Sequence, residues 1–456
     1  MVSEEPVYMI LLTPPGRGAI ATLRLEGPKA MDRLRAWVRR PSGQPVEDLP
    51  RDRPVLVRFG PEPAEEVVLR CFSDQSVEIH CHGGHGAVGR IQSLLLQSGC
   101  QLLSWKSWLT AQPADSVTKE AIICLAEALT ERTASILLDQ LHGALQREIQ
   151  QILEVLEACR TLQMPSDGMD LVPEHGHAGP ESNQACQVRS AQERLSVLLD
   201  RANLGKHLTS PWQVVLVGRP NVGKSSLLNA LVGYSRAIVH PQPGTTRDLV
   251  TVTTAMEGWP VQLVDTAGWR DSLDPLEEAG IRLALQKAQQ ADLVLIVTDL
   301  NQPWTATDNF FCHTFPSALL VHNKCDLMAR PPASEWETTE SAGFGKAAGE
   351  SERFLEAGGT IGWQETFSYL GTRPSGVWVS AVTGRGLPEL IQAIVRRLSP
   401  KAPLPGEAVP FTDRQIQLLQ AAQNYLKRHD FSAAQNALLA ILYGPMASAQ
   451  PSGEAS

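Results

Sequence analysis

Gln213-Val214-Val215-Leu216-Val217-Gly218-Arg219-Pro220-Asn221-Val222-Gly223-Lys224-Ser225-Ser226-Leu227-Leu228-Asn229-Ala230-Leu231 passes from an apolar run through a GxxxxGKS loop into a helix-patterned stretch. That strand–loop–helix context is the one in which such a loop holds phosphate. Glycines let backbone N–H groups close around phosphate oxygens, Lys224 neutralises their charge, and the Ser225 hydroxyl is suited to magnesium. The loop by itself leaves open which nucleotide binds.

Further elements follow in order, each at the end of an apolar strand pattern. Gly244-Thr245-Thr246-Arg247-Asp248 supplies a threonine, Thr246, whose hydroxyl would complete a magnesium shell. Val261-Gln262-Leu263-Val264 leads into Asp265-Thr266-Ala267-Gly268, where Asp265 reaches the metal through water and the Gly268 N–H senses a γ-phosphate. A strand from Leu293 to Val297 ends near Asp299. Leu319-Leu320-Val321 delivers Asn323-Lys324-Cys325-Asp326, and an aspartate there accepts from the N1 and N2 donors of guanine, which adenine lacks. Val377-Trp378-Val379 leads into Ser380-Ala381-Val382, whose backbone suits the base oxygen.

Any one tetrapeptide is a chance turn more often than a site. Their shared order predicts a Ras-like P-loop GTPase domain with a doubly wound sheet over residues 211–400. The expected GTP contacts are Asn221, Val222, Gly223, Lys224, Ser225, Ser226, Gly244, Thr245, Thr246, Asp265, Thr266, Ala267, Gly268, Asn323, Lys324, Asp326, Ser380, Ala381 and Val382, with magnesium on Ser225 and Thr246. Trp269 stands where Ras-like enzymes carry the glutamine that orients water. An indole has one N–H donor and no acceptor for that water, so its positioning must come from elsewhere.

The chain has 456 residues, enough for about three domains. An apolar fraction of 43% supports sizeable cores, and no apolar run approaches the ~20 residues of a membrane span. The eight cysteines form no CxxC pair, and the acidic start lacks a secretory pattern, so a cytoplasmic protein without membrane attachment is expected. A net charge of −9 argues against non-specific coating of nucleic acid, though not against a local basic site. His80, Cys81 and His82 are consecutive on a strand pattern and alternate faces, so they are not assigned a metal. The basic stretch Lys29, Arg33, Arg35, Arg39, Arg40 reads as a solvated helix face or an RNA contact.

Outside the nucleotide motifs, three blocks resemble the bacterial MnmE (TrmE) family of tRNA-modification GTPases. They are Leu12 through Pro28, including Thr13-Pro14-Pro15-Gly16-Arg17-Gly18; Val77-Glu78-Ile79-His80-Cys81-His82-Gly83-Gly84; and Glu120-Ala121-Ile122 through Leu141-His142-Gly143-Ala144. Ala237-Ile238-Val239 and the register from Asp265 through Gly280 also follow the family, so the resemblance spans roughly 7–160 and 211–440. It implies α/β plus all-α architecture: an N-terminal α/β folate-binding-like and dimerisation domain (1–117), a discontinuous helical domain (118–210 and 401–444), and the inserted GTPase domain (211–400). Residues 445–456 are expected to be a disordered tail.

Carried over residue by residue, Asn221 corresponds to the family's potassium ligand and Glu277 to the catalytic glutamate that positions water, with Glu278 its rival. Arg24 and Glu78 match folate-contacting positions, with a structural ion pair as the other reading. The resemblance implies GTP, Mg2+ and K+ as ligands, a tetrahydrofolate derivative as one-carbon donor, and a homodimer. It also implies an FAD-dependent MnmG-type partner and the wobble uridine of tRNA as target.

The sequence also departs from the family. No cysteine follows Cys325, so the C-terminal Cys-x-Gly-Lys tail is expected to be missing. Trp105 through Asp115 replaces the segment that carries a folate-contacting lysine, and His240-Pro241-Gln242-Pro243 occupies the potassium loop. These departures keep a second reading open: a regulatory or assembly GTPase that retains hydrolysis and has lost the modification chemistry. A third, a nucleotide-binding interaction protein without turnover, requires Glu277 to be idle. Four local patterns complete the expectations. The spacing of Leu138, Leu141, Leu145, Ile149, Ile152, Leu156 and Cys159 predicts one long helix, and Arg414 to Leu442 is again helix-patterned. Ser166 to Asn183 reads as a loop, and Leu327 to Gly376 as a surface insertion.

Overall fold

The computed structural model describes residues 5–14, 18–46, 48–161, 180–237, 250–265, 285–328 and 373–444. The chain forms two compact units, 1–119 and 120–456.

In the first unit, alternating apolar residues build a seven-stranded sheet. Its strands are β1 (Tyr8–Leu11), β2 (Ile20–Glu26), β3 (Val38–Arg39), β4 (Val55–Phe59), β5 (Glu65–Ser73), β6 (Ser76–His82) and β7 (Gln101–Leu103), in the order β3-β4-β5-β6-β2-β1-β7. Ala21, Leu23 and Leu25 of β2 and Val77, Ile79 and Cys81 of β6 turn to one face. There they join a core with Met31 and Leu34 of α1 (Ala30–Arg35) and Ile91 and Leu95 of α2 (His85–Gln97). The alternate residues Thr22, Arg24, Glu26, Glu78 and His80 fall on the opposite face. A third helix, α3 (Trp105–Ala111), is capped by the Ser104 hydroxyl.

The second unit combines a helical layer with a second seven-stranded sheet. Helices α4 (Ser116–Glu127), α5 (Glu131–Leu141), α6 (Ala144–Thr161), α7 (Pro180–Asp200) and α8 (Ala202–Lys206) precede the sheet in sequence. Its elements are β8 (Trp212–Val217), α9 (Lys224–Tyr234), β9 (Arg236–Ala237), β10 (Val250–Met256), β11 (Trp259–Asp265), β12 (Leu293–Asp299), α10 (Ala306–Thr314), β13 (Leu319–Asn323), β14 (Val377–Trp378) and α11 (Leu387–Leu398). Two helices close the chain, α12 (Asp413–Lys427) and α13 (Phe431–Tyr443). The sheet order is β14-β13-β12-β8-β11-β10-β9, with β14, β13, β12, β8 and β11 parallel and β10 antiparallel to both of its neighbours, β11 and β9. Every residue of β12 is buried, as parallel strands covered on both faces require. Strand β8 is the switch point from which the order runs outward in both directions, the position where α/β sheets bind ligands.

Helices on the two sides of this sheet in sequence pack together, α12 on α7 and α13 on α6. Glu120 of α4 receives Arg414 Nε at 2.5 Å and Nη2 at 3.0 Å, and Gln415 Nε2 at 2.7 Å. The buried Gln140 amide donates to Glu407 O at 3.0 Å and accepts from Val409 N at 3.1 Å.

Three sequence expectations change. The stripe from Leu138 to Cys159 is carried by two helices, because α5 ends at Leu141 and Gly143 adopts φ +87° before α6 begins. Leu138 is 41% exposed and Leu137 takes the buried position. The stretch from Arg414 to Leu442 likewise breaks at Arg428–Asp430, with His429 at φ +59°. Helix α7 starts at Pro180, inside the expected loop, and proline favours a first helical turn because its missing N–H is not needed there. Residues 162–179, 329–372 and 445–456, which contain most of that loop, most of the expected insertion and the tail, lie outside the described residues. Among the described residues no helix is long and apolar enough to cross a membrane.

Candidate nucleotide-binding site

The loop between β8 and α9 is shaped by positive φ angles. Gly218 sits at φ +147°, where a Cβ would lie 2.2 Å from Val297 O on β12. Gly223, at φ +92°, leaves 2.4 Å between such a Cβ and Asn323 Nδ2. Any larger side chain at either position would therefore push the loop off its neighbours. Asn221 joins them at φ +61°. Helix α9 then starts at Lys224, so its first amides and the exposed Ser225 and Ser226 face the loop.

Lys224 is buried, and its ammonium donates to Gly218 O at 3.0 Å and Arg219 O at 2.9 Å. Burial pushes its pKa below the ordinary lysine value, while the charge of Asp265 acts the other way. Ser225 Oγ donates to Asp265 Oδ2 at 2.5 Å. Asp265 is only 2% exposed, and its Oδ1 has no hydrogen-bond partner among the described residues. A buried carboxylate oxygen left in this way beside a helix-terminal hydroxyl suits an aquated divalent cation. The donor set therefore fits a magnesium-bound nucleoside triphosphate.

Across the loop, Asn323 ends β13. Its Nδ2 donates to Val222 O at 2.9 Å, and its Oδ1 accepts from Lys324 N at 2.8 Å and Ala381 N at 3.2 Å. Lys324, at φ +65°, donates from Nζ to Asn221 O at 2.8 Å and pairs with Asp299 Oδ2 at 2.8 Å. For Asp299, burial alone would raise the pKa. Hydrogen bonds from Lys324 and Asn301, with the Lys324 charge, outweigh it and hold the carboxyl below its usual range. Asp326 stands exposed on the 3-10 turn Cys325–Leu327. Ser380 is buried, its hydroxyl accepting from Thr383 N at 3.1 Å, and Val382 is 84% exposed. The structure thus gathers Asn221 through Ser226, Asp265, Asn323, Lys324, Asp326 and Ser380 through Val382 at the ends of adjacent strands. Gly244, Thr245, Thr246, Thr266, Ala267, Gly268, Trp269 and Glu277 lie outside the described residues.

Some contributors were not legible as site residues. Arg219, in a variable position of the loop, pairs through Nε with the buried Asp308 Oδ1 at 3.1 Å and donates to Pro303 O at 3.1 Å. Asp308 also receives Thr305 N and Oγ1 in a capping box at the start of α10. The Thr305-x-x-Asp308 spacing signals that cap, but not the arginine.

At the far end of β11 from Asp265, the hairpin to β10 turns through Glu257 (φ +47°) and Gly258 (φ +82°), a type I′ geometry. Arg132 of α5 donates to Glu257 O at 2.9 Å and lies 4.6 Å above the Trp259 ring.

In the first unit, Arg24 and Glu78 are paired with each other at 3.3 Å. Arg24 also donates to Glu26 Oε1 at 2.8 Å and Ser76 Oγ at 3.0 Å, and its guanidinium packs 5.0 Å from Phe72 and 5.2 Å from Trp108. Trp108 Nε1 donates to Glu26 Oε2 at 2.5 Å. Arg24 and Glu78 are thus brought together as a part-exposed ion pair on the sheet face opposite the core.

Residues 213–324 match the family described as 50S ribosome-binding GTPase. Over 353 residues the chain is 33% identical to the tRNA modification GTPase MnmE of Geobacillus kaustophilus, covering 72% of this chain and 75% of that one. Against the MnmE of Moorella thermoacetica it is 32% identical over 405 residues, covering 84% and 80%. The MnmE of Prochlorococcus marinus (strain MIT 9303) is 33% identical over 439 residues, covering 92% of this chain and 87% of its own. With a phosphate-type loop, a buried aspartate and the Asn323-Lys324-Cys325-Asp326 turn at the strands' carboxyl ends, and similarity running through both units, the chain belongs to the MnmE family of tRNA modification GTPases.

Proposed function

We propose that this chain hydrolyses GTP and, through that cycle, serves modification of the wobble uridine of tRNA as a cytoplasmic homodimer with an FAD-dependent MnmG-type partner. The observation that carries the reading is the reach of the similarity: 92% of the chain aligns with one MnmE relative, so the likeness is not confined to the nucleotide domain.

Within this reading the loop amides and Lys224 hold the phosphates, and Ser225 and Thr246 would hold magnesium directly, with Asp265 reaching it through water. Asn221 would hold potassium, which would supply positive charge to stabilise the charge that develops on the phosphates. Asp326 reads the N1 and N2 donors of guanine, while Ser380, Ala381 and Val382 face the base oxygen. Gly244, Thr245, Thr266, Ala267 and Gly268 complete the GTP contacts, the Gly268 N–H sensing the γ-phosphate. Glu277 orients the attacking water, the role that Trp269 is chemically unable to take. A tetrahydrofolate derivative is the one-carbon source in this scheme, with Arg24 and Glu78 exchanging their mutual ion pair for its carboxylate and pterin donors.

The deciding experiment is mass spectrometry of wobble uridines in tRNA from a strain lacking the gene. Loss of the modified nucleoside supports the proposal. Unaltered uridines alongside normal GTP turnover would instead establish the second reading, a GTPase without modification chemistry.

A further inference from the structure

His322 is buried in β13 immediately before Asn323. Its Nε2 lies 3.0 Å from Pro374 O and its Nδ1 lies 2.8 Å from Thr298 Oγ1. A carbonyl only accepts, so Nε2 carries the proton, and Nδ1 accepts from the threonine hydroxyl. Both ring nitrogens are thereby satisfied with the imidazole neutral. The ring also meets Trp304 and Trp378 edge-on, at 6.4 and 6.3 Å between centroids. Gly376 is so close that a Cβ there would lie 3.0 Å from Nε2.

The partners of His322 stand next to the nucleotide-facing residues. Thr298 precedes Asp299, which pairs with Lys324. Pro374 leads into β14 and then Ser380, and Val379 N donates to His322 O at 2.9 Å. Arg373 reinforces this junction by donating to Asp299 O at 3.1 Å and to Gln302 O. One side chain therefore ties β12, β13 and the approach to β14, the three segments that deliver Asp299, Asn323 and Ser380.

We infer that His322 is a positioning residue for guanine recognition, holding β13 and the lead-in to β14 so that Asp326 and the Ser380–Ala381 backbone address the same base. This rests on the reading of Asp326 as the base-selective carboxylate. The competing account is a satisfied core histidine that contributes stability alone.

The test measures GDP and IDP affinities, GTP kcat and KM, and melting temperature for the full chain. IDP lacks the exocyclic amino group that Asp326 would bind. His322→Leu is expected to weaken GDP by about tenfold, the effect of losing a buried hydrogen-bonded tie. It should also shrink the GDP-over-IDP preference and leave kcat at saturating GTP within about twofold, because positioning of the base acts on binding rather than chemistry. His322→Gln, which keeps a donor for Pro374 O, is expected to restore most of both. An unchanged GDP-over-IDP preference in His322→Leu, with only the melting temperature lowered, would overturn the inference. Should that variant fail to fold, His322→Asn, which retains only the Thr298 contact, must show the reduced preference, and a wild-type ratio there overturns it equally. Asp326→Asn, assayed alongside, separates the two assignments: an unchanged ratio in that variant removes Asp326 as the base reader, and the inference with it.

Discussion

Ser225 Oγ and Asp265 Oδ2 lie 2.5 Å apart, joined across forty residues of sequence by the parallel pairing of β8 with β11. The hydroxyl occupies one carboxylate oxygen and leaves the other buried without a described partner. Asp265→Asn keeps the shape and removes the charge. GTP turnover at saturating magnesium is expected to fall by about 100-fold or more, the usual size of a lost charge-stabilising group. The melting temperature without nucleotide should not fall, because a half-satisfied buried carboxylate is costly to hold. A large loss of stability with turnover intact would make Asp265 a structural residue.

Potassium dependence tests the reading of Asn221, which stands at φ +61° with its carbonyl held by Lys324 Nζ. Turnover is expected to rise by about tenfold or more in potassium over sodium, the scale of one added charge contact at the leaving oxygen. Asn221→Ala should abolish that difference. Equal rates in the two salts would refute the assignment.

Base selection is expected to follow the carboxylate of Asp326. Asp326→Asn should weaken GTP by about 100-fold or more and favour xanthosine nucleotides, whose 2-oxo group accepts where guanine donates. Competition binding of GTP against XTP reads the switch. Retained GTP preference would point to the Ser380–Val382 backbone as the main selector.

Arg132 clasps the β10–β11 turn from helix α5, so Arg132→Ala removes one charge-assisted hydrogen bond and one cation–π contact. The expected cost is about 1–3 kcal/mol, read as a lower denaturant midpoint. Gly258→Ala should act on the same contact, since its methyl would lie 3.0 Å from Arg132 Cβ at a φ of +82°. Unchanged midpoints in both would show the clasp to be energetically neutral.

The parts of this protein legible in sequence are those whose chemistry is local. The phosphate loop, the Asp265 strand end and Asn323-Lys324-Cys325-Asp326 are short runs whose order and apolar lead-ins anticipate the sheet. Features set by distant pairing stayed hidden. Helical spacing continues across Gly143 because the two residues between α5 and α6 preserve the 3–4 rhythm, so the break left no mark in the pattern. Arg219 meets Asp308, and His322 meets Pro374, only once β8, β12 and β13 lie side by side. Arg24 shows the same limit: its match to a ligand-contacting position was readable, but the Trp108 indole that packs against it comes from a helix 82 residues beyond its partner Glu26.

Strand β11 has Trp259 at one end, under Arg132, and Asp265 at the other, against Ser225. It is paired residue for residue with β10 throughout and with β8 from Val261 to Asp265. Seven extended residues span about 20 Å, so the strand is a ruler of fixed length between the helical layer and the phosphate loop. Trp259 and Asp265 stand an even number of residues apart and share one face. Inserting or deleting a single residue between them would turn one of the two to the opposite side of the sheet, whichever end kept its register. The indole clasp and the Ser225–Asp265 contact therefore depend together on the length of this one strand.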